Sequence, residues 1–286
     1  MSSFSAQGER PFSRIAGFDV IQARPLGGGL SNRCWQLTLK PASSFSSCAN
    51  TDNTLLAVWR PVSPASLAFG VDRNHEYQIL SAIQHTGLSP APVARTDSGI
   101  LVAWIEGETF KQPPSMKELM AVQTQVHRLP VPKWRLEVQQ RAEHYLKSVH
   151  PKDRHAGFER VCDKFFRQIP KSRFTETCCH HDLGYYNLIR QSDGRVLVID
   201  WEYAAAGDPM LDLALTIQAN SLNVRQAANA YAQQMGYDAE DVSEAVLQWL
   251  PWCDFLAMLW YYAGANLWQD ESYRLEAEAL FAKLSL

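Results

Sequence analysis

The rhythm of hydrophobic and polar positions changes along this 286-residue chain. From Val20 to Arg60 it is strand-like: Trp35, Leu37 and Leu39 alternate with polar residues, and residues 55–59 form a short apolar run. Between them, residues 41–53 are rich in Ser, Asn and Thr and read as a polar hairpin connection. Residues 74–84 place Tyr77, Leu80 and Ile83 at helical spacing. Pro90-Ala91-Pro92 breaks the chain before another strand at 100–105. The first hundred residues therefore predict a small antiparallel sheet with one helix packed on it.

After Gly107 helical patterning takes over. Ser115 suits the cap of a helix that runs to His127 and ends before Pro130 and Pro132. Further helices are expected at 136–148 and 158–169. Two short strands, 187–190 and 196–199, are joined by a turn at Ser192-Asp193-Gly194, and the remainder is helical. The fold class is α+β in two lobes, with a β-rich N-terminal lobe over residues 1–105 and an α-helical C-terminal lobe over 106–286.

Composition narrows the function. The 27 Lys+Arg and 30 Asp+Glu leave a net charge of −3, so no electrostatic footprint for nucleic acid is expected. With 46% hydrophobic residues the chain is neither disordered nor collagen-like. Its longest apolar stretch, 255–265, is far short of the roughly 20 residues a spanning helix needs. The polar N-terminus lacks a signal-peptide run, so a cytoplasmic location and reduced thiols are expected for the six cysteines. Cys178-Cys179-His180-His181 lacks the spacers with which zinc ligands wrap a tetrahedral ion.

The strongest chemical signal is His180-His181-Asp182-Leu183-Gly184-Tyr185-Tyr186-Asn187, which fits the kinase catalytic-loop pattern His-x-Asp-Leu-x-x-x-Asn. Phosphoryl transfer needs a carboxylate to orient the attacking hydroxyl and take its proton, and an oxygen ligand nearby for magnesium. Asp182 and Asn187 supply these. Val196-Leu197-Val198-Ile199-Asp200 then reads as an apolar strand ending in a carboxylate, a rigid perch for a second metal ligand.

Ile199-Asp200-Trp201-Glu202-Tyr203, with Gly207-Asp208-Pro209 and Asp212-Leu213-Ala214, resembles the aminoglycoside phosphotransferase and choline kinase superfamily, and within it bacterial thiamine, choline and ethanolamine kinases. The resemblance implies a two-lobed, protein-kinase-like fold that binds ATP and magnesium between the lobes. It makes Leu26-Gly27-Gly28-Gly29-Leu30-Ser31-Asn32 the turn over the phosphates, with Gly27, Gly28, Gly29 and Ser31 as contacts. It makes Arg60 the phosphate cation, held by Glu76, and sets adenine against the backbone around Trp104 and Ile105. Asp212 would brace the catalytic loop and His180 would shape it.

The acceptor is read from the aromatic load near the C-terminus. Of nine Trp, Trp249, Trp252, Trp260 and Trp268 fall close together with Phe255, Tyr261 and Tyr262. Trp252, Leu256, Trp260, Gly264 and Trp268 recur at four-residue steps along one helical stripe. Such a stripe either packs a core or walls an organic cation by cation–π attraction. Glu202, Tyr203, Trp252 and Trp260 are the candidate acceptor contacts. Thiamine is slightly favoured over choline or ethanolamine. An aminoglycoside phosphotransferase and a non-catalytic nucleotide-binding module are the alternatives, the latter disfavoured because Asp182, Asn187 and Asp200 are all present.

Overall fold

A computed structural model describes residues 12–27, 34–42, 54–171 and 173–286. Strands β1 (Arg14–Ile15), β2 (Phe18–Pro25), β3 (Trp35–Pro41), β4 (Leu55–Pro61), β5 (Pro92–Thr96) and β6 (Gly99–Ala103) form an antiparallel sheet in the order β1-β2-β3-β4-β6-β5. The alternation read from the sequence sorts its faces. Val20, Leu37, Leu39, Ala57, Trp59 and Leu101 close a small core of their own, while Ile100 and Val102 join the main core with Ile79, Leu80 and Ile83 of α2 (Arg73–Ile83). β5 is a strand that the Pro90–Pro92 break concealed. It lies at the sheet edge and begins at Pro92, where a missing N–H does no harm. The polar connection expected at 41–53 lies outside the described residues from 43 onward.

A short helix, α1 (Pro64–Ala68), precedes α2 and was not expected; Ser63 and Ser66 cap it reciprocally. The segment after it leaves the sheet and docks on the helical region. Phe69 is fully buried, and its carbonyl accepts from Arg141 Nη1 at 2.7 Å. The Leu67 carbonyl is 3.0 Å from His144 Nε2.

The helical region holds α3 (Met116–His127), α4 (Val138–Ser148), α5 (Ala156–Arg167), α6 (Pro209–Ala219), α7 (Val224–Met235), α8 (Ala239–Trp268) and α9 (Glu271–Leu284). Ser115 caps α3 as its sequence predicts, through Glu118 N. α8 runs for 30 residues through Pro251. No helix among the described residues is long and apolar enough to cross a membrane.

Two small ladders position the site. β8 (Thr177–Cys179) pairs with β11 (Ala205–Gly207), Cys179 opposite Ala205. β9 (Leu188–Arg190) pairs with both β10 (Val196–Val198) and β7 (Glu108–Thr109). The pieces before Asp182 and after Asp200 are thus neighbours, as are the strands that leave Asn187 and approach Asp200. The whole is an α+β architecture in two lobes, one built on the antiparallel sheet and one helical.

Candidate active site

The loop from His180 to Asn187 is held from beneath by α6. Asp212, fully buried, accepts from the backbone N–H groups of His180 (3.1 Å) and His181 (2.6 Å). The same carboxylate accepts from Gln123 Nε2 at 2.8 Å and lies 2.9 Å from His127 Nε2. Burial opposes its charge, but the His127 hydrogen bond and the surrounding imidazoles pull its pKa well below the usual carboxylate range. At the other end of α6, Asn220 accepts from Tyr185 N (2.9 Å) and donates to the Leu183 carbonyl (2.9 Å). His180 Nε2 donates to the Ile199 carbonyl at 3.0 Å, tying the loop to the strand that carries Asp200. The braces of the loop therefore come from side chains on a helix, with a period the loop's own sequence does not contain.

Two backbone positions flank the chemistry. His181 and Asp200 both adopt left-handed conformations, at φ 62° and 64°. Each is unfavourable for a residue with a Cβ by about 1–3 kcal/mol, and such strain persists where surrounding bonds over-determine it. Here the Asp212 bonds and the Ile199 N–Asn187 O bond of 2.9 Å do so. The conformation at Asp200 turns its carboxylate off the strand axis toward Arg60.

Asp182 and Asn187 meet directly. Asn187 Nδ2 donates to Asp182 Oδ2 at 3.0 Å and to its carbonyl at 2.9 Å. Tyr186 Oη donates to Asp182 Oδ1 at 2.8 Å. Burial and the nearby Asp200 charge push the Asp182 carboxyl up to about 7, against the pull of the Tyr186 and Asn187 bonds. A carboxylate of that basicity suits proton transfer near neutral pH. With its amide nitrogen so engaged, Asn187 keeps Oδ1 as an acceptor. Together with the Asp200 carboxylate it presents hard oxygen donors of the kind magnesium takes.

Arg60, on β4, lies at the centre of a buried ion network. Its Nη2 bonds to Asp200 Oδ1 and, at 2.9 Å, to Glu202 Oε2; its Nε is 2.7 Å from Glu76 Oε1. Arg73, at the start of α2, pairs with Glu76 and, at 3.1 Å, with Glu202. Two guanidiniums thus face three carboxylates. Although burial disfavours its charge, Arg60 and Arg73 hold Asp200 below the usual carboxylate range. Glu202 goes the other way, up to about 8, because it is buried and sits beside Asp200.

The family model described as "Phosphotransferase enzyme family" matches residues 22–250 of this chain. The chain belongs to that family. Thiamine kinase of Escherichia coli O157:H7 (strain EC4115 / EHEC) is 27% identical to this phosphotransferase over 187 residues, 65% of the chain and 68% of the relative. In solved structures, the choline kinase LicA from Streptococcus pneumoniae superimposes with a TM-score of 0.70 at 19% identity, covering 93% of this chain and 94% of that one. LicA has also been solved in complex with AMP. Spectinomycin phosphotransferase APH(9)-Ia, in complex with ADP and spectinomycin, gives 0.59 at 15% identity, with 93% and 90% covered. This chain is thus a small-molecule phosphotransferase of the kinase-like fold.

Other residues singled out in the phosphotransferase's sequence fall in different places. Gly27 is at the edge of the described residues, and Gly28, Gly29 and Ser31 lie outside them. On either side of them, Leu26 N donates to the Cys34 carbonyl at 2.9 Å, and Cys34 Sγ is 3.8 Å from Arg60 Nη1. Glu76 meets Arg60 as expected. The backbone N–H groups of Ala103 and Trp104 bond to the carbonyls of Ala91 (2.8 Å) and Leu56 (3.0 Å), so Trp104 has no backbone N–H left to offer, and Ile105 follows it in the link.

The acceptor contacts need correction. Glu202 is bound into the Arg60–Arg73 network with only 3% of its side chain exposed, so it serves the cation rather than an acceptor. Tyr203 has its hydroxyl buried and its ring under the Arg141 guanidinium, 5.1 Å from the centroid. Trp252 is a core residue. It is buried, packs on Phe165 and Phe255, and donates Nε1–H to the Gln168 carbonyl at 3.0 Å. The stripe does not form one wall because a four-residue step overshoots the 3.6-residue turn. Trp260 packs on a different part of the same core. Half-buried, it meets Phe69 (5.1 Å), Tyr261 (5.3 Å), Trp268 (5.7 Å) and Tyr273 (5.8 Å).

Among the residues that shape the site, Arg73, Phe69, Gln123, Asn220 and Tyr186 escaped the sequence reading. Tyr186 could have been found within the catalytic-loop motif, one residue before Asn187. The others act across long sequence separations and carry no local mark.

Proposed function

We propose that this phosphotransferase moves the γ-phosphoryl group of ATP to the hydroxyl of a small cationic alcohol. Thiamine is favoured, and choline or ethanolamine comes next. The observation that carries the reading is the convergence of Asp182, Asn187, Asp200 and Arg60; Arg141, between the Phe69 carbonyl and the Tyr203 ring, links the Trp260 cluster to the segment that follows Asp200. The thiamine kinase name of the curated relatives supports the choice of acceptor. In the proposed arrangement residues 1–105 contact the nucleotide and residues 106–286 carry the catalytic loop and the acceptor.

Asp182 orients the acceptor hydroxyl and takes its proton as the oxygen attacks the γ-phosphorus in line and the bond to the ADP oxygen breaks. Asn187 and Asp200 are the ligands proposed for magnesium, which when bound neutralises phosphate charge. Arg60 and the turn containing Gly27, Gly28, Gly29 and Ser31 hold phosphate oxygens. For Arg60 this means exchanging Asp200 for phosphate while Glu76 and Glu202 keep its guanidinium in place. With the backbone N–H groups of Ala103 and Trp104 already bonded, the adenine edge draws on Ile105. Trp260, Tyr261 and Tyr273 offer ring faces to a quaternary ammonium or thiazolium, each worth about 0.5–2 kcal/mol.

The test is ATP turnover with thiamine, choline, ethanolamine and a panel of aminoglycosides. Stimulation by a small cationic alcohol is expected. No stimulation by any of them would favour a non-catalytic nucleotide-binding module, and stimulation by aminoglycosides alone would reassign the acceptor.

A further inference from the structure

We infer that the Tyr186 hydroxyl stands in for the acceptor: it caps Asp182 while the acceptor site is empty and is displaced by the incoming substrate hydroxyl. The inference rests on the kinase reading above and assigns a role to a residue which that mechanism leaves unused.

Both Asp182 oxygens are occupied, but by unequal partners. Oδ2 is held by Asn187, which is buried and fixed through its own backbone. Oδ1 is held by the Tyr186 phenol, whose residue is 47% exposed. An exposed side chain can exchange rotamers on the picosecond to nanosecond scale, so this bond is the one that can be given up. The phenol donates an O–H to the carboxylate just as an acceptor alcohol must, and the two cannot use the same lone pair.

The ring's seat is built into the loop. A Cβ at Gly184 would run into the Tyr186 ring, so the capped position requires glycine two residues earlier. Tyr185 meets the ring edge-on at 5.7 Å.

The cap has two consequences. It denies Asp182 to water, so that with ATP bound and no acceptor there is little hydrolysis. In that wasteful step water oxygen would bond to the γ-phosphorus, the bond to ADP would break, and the water proton would pass to Asp182, leaving ADP and phosphate. The cap also lowers apparent acceptor affinity by the fraction of molecules in which it is closed.

Tyr186→Phe removes the hydroxyl and keeps the ring over Gly184. Acceptor-free ATP hydrolysis is expected to rise at least about threefold. KM for whichever of thiamine, choline or ethanolamine is turned over should fall about two- to tenfold, the range set by one net hydrogen bond. KM for ATP should not move. Tyr186→Ala should raise hydrolysis likewise. Wild-type values for both hydrolysis and acceptor KM in Tyr186→Phe, or a raised acceptor KM, overturn the cap. Asp182→Asn separates this from the parent reading. If the wild type transfers phosphate, Asp182→Asn abolishes transfer and Tyr186→Phe matches wild type, the cap alone is wrong. If the wild type transfers to none of the three and its ATP consumption is indifferent to Asp182→Asn, both readings fall.

Discussion

Arg60 Nη2 lies 2.9 Å from Glu202 Oε2, and the same nitrogen reaches Asp200. The cation expected to grip phosphate is therefore shared between a carboxylate that can be recruited by a metal and one that cannot leave. Glu202 cannot leave because Arg73 holds it from α2. Removing it strips one hydrogen bond from each of two buried guanidiniums, at a cost of about 1.5–3 kcal/mol apiece. Glu202→Ala should lower stability by about that much and raise KM for ATP, read by urea unfolding and by kinetics. A change below about 1 kcal/mol would show that Arg73 and Glu76 suffice to hold Arg60.

Asp182→Asn keeps an oxygen for the Tyr186 hydroxyl but cannot take a proton. Turnover should fall by about 10²–10⁴, the usual contribution of a positioned general base, with nucleotide binding retained. Isothermal titration with an ATP analogue beside steady-state kinetics checks both halves.

Asp212 is fully buried and serves two loop N–H groups. Asp212→Ala strands both donors, each at about 1–3 kcal/mol. A lowered Tm together with a lower kcat is expected. Retention of kcat in the folded fraction would mean that Asn220 and the His180–Ile199 bond hold the loop unaided.

His180 and His181 are buried, and burial holds both imidazoles below their usual pKa despite the charge of Asp212. As pH falls below about 6.5, the unfolded chain binds protons that the folded chain refuses, so the folded state loses stability. Asp212, with its depressed pKa, adds a loss of the same sign at lower pH, below the unfolded value of about 3.9. Asp182 and Glu202, with raised pKa values, contribute with the opposite sign over the same range, so the histidine share is read by difference. The urea midpoint of the wild type should fall between pH 7.5 and 5.5 relative to that of His181→Gln, and parallel profiles would assign the pH dependence elsewhere.

Trp252 and Trp260 separate packing from recognition. Trp252→Ala opens a cavity in the core and should cost about 3–5 kcal/mol with no change in acceptor KM. Trp260→Ala should raise acceptor KM about three- to thirtyfold, one cation–π face, and leave KM for ATP alone. The opposite pattern would move the acceptor away from the Phe69–Trp260 cluster.

The amino-acid sequence by itself determined the elements and the order of the chemistry. Alternation at 35–39 and the Ser115 cap are local signals, and β3 and α3 follow from them. Asp182, Asn187 and Asp200 are close in sequence, linked by one hairpin, so their meeting needs only the β9–β10 turn. Glu76 and Arg60 were legible through the family resemblance. Tertiary structure decided the rest, because the deciding contacts span long separations. Glu202 reads as an acceptor contact until Arg60 and Arg73, 142 and 129 residues away, are found on it. Trp252 and Trp260 share a stripe on paper, but helix phase sends one ring onto Phe165 and leaves the other half-buried against Phe69. That Phe69 comes from the segment between sheet and α2 could be known only once the chain had folded across to the helices. Periodicity can state that a face is apolar; only packing chooses what covers it.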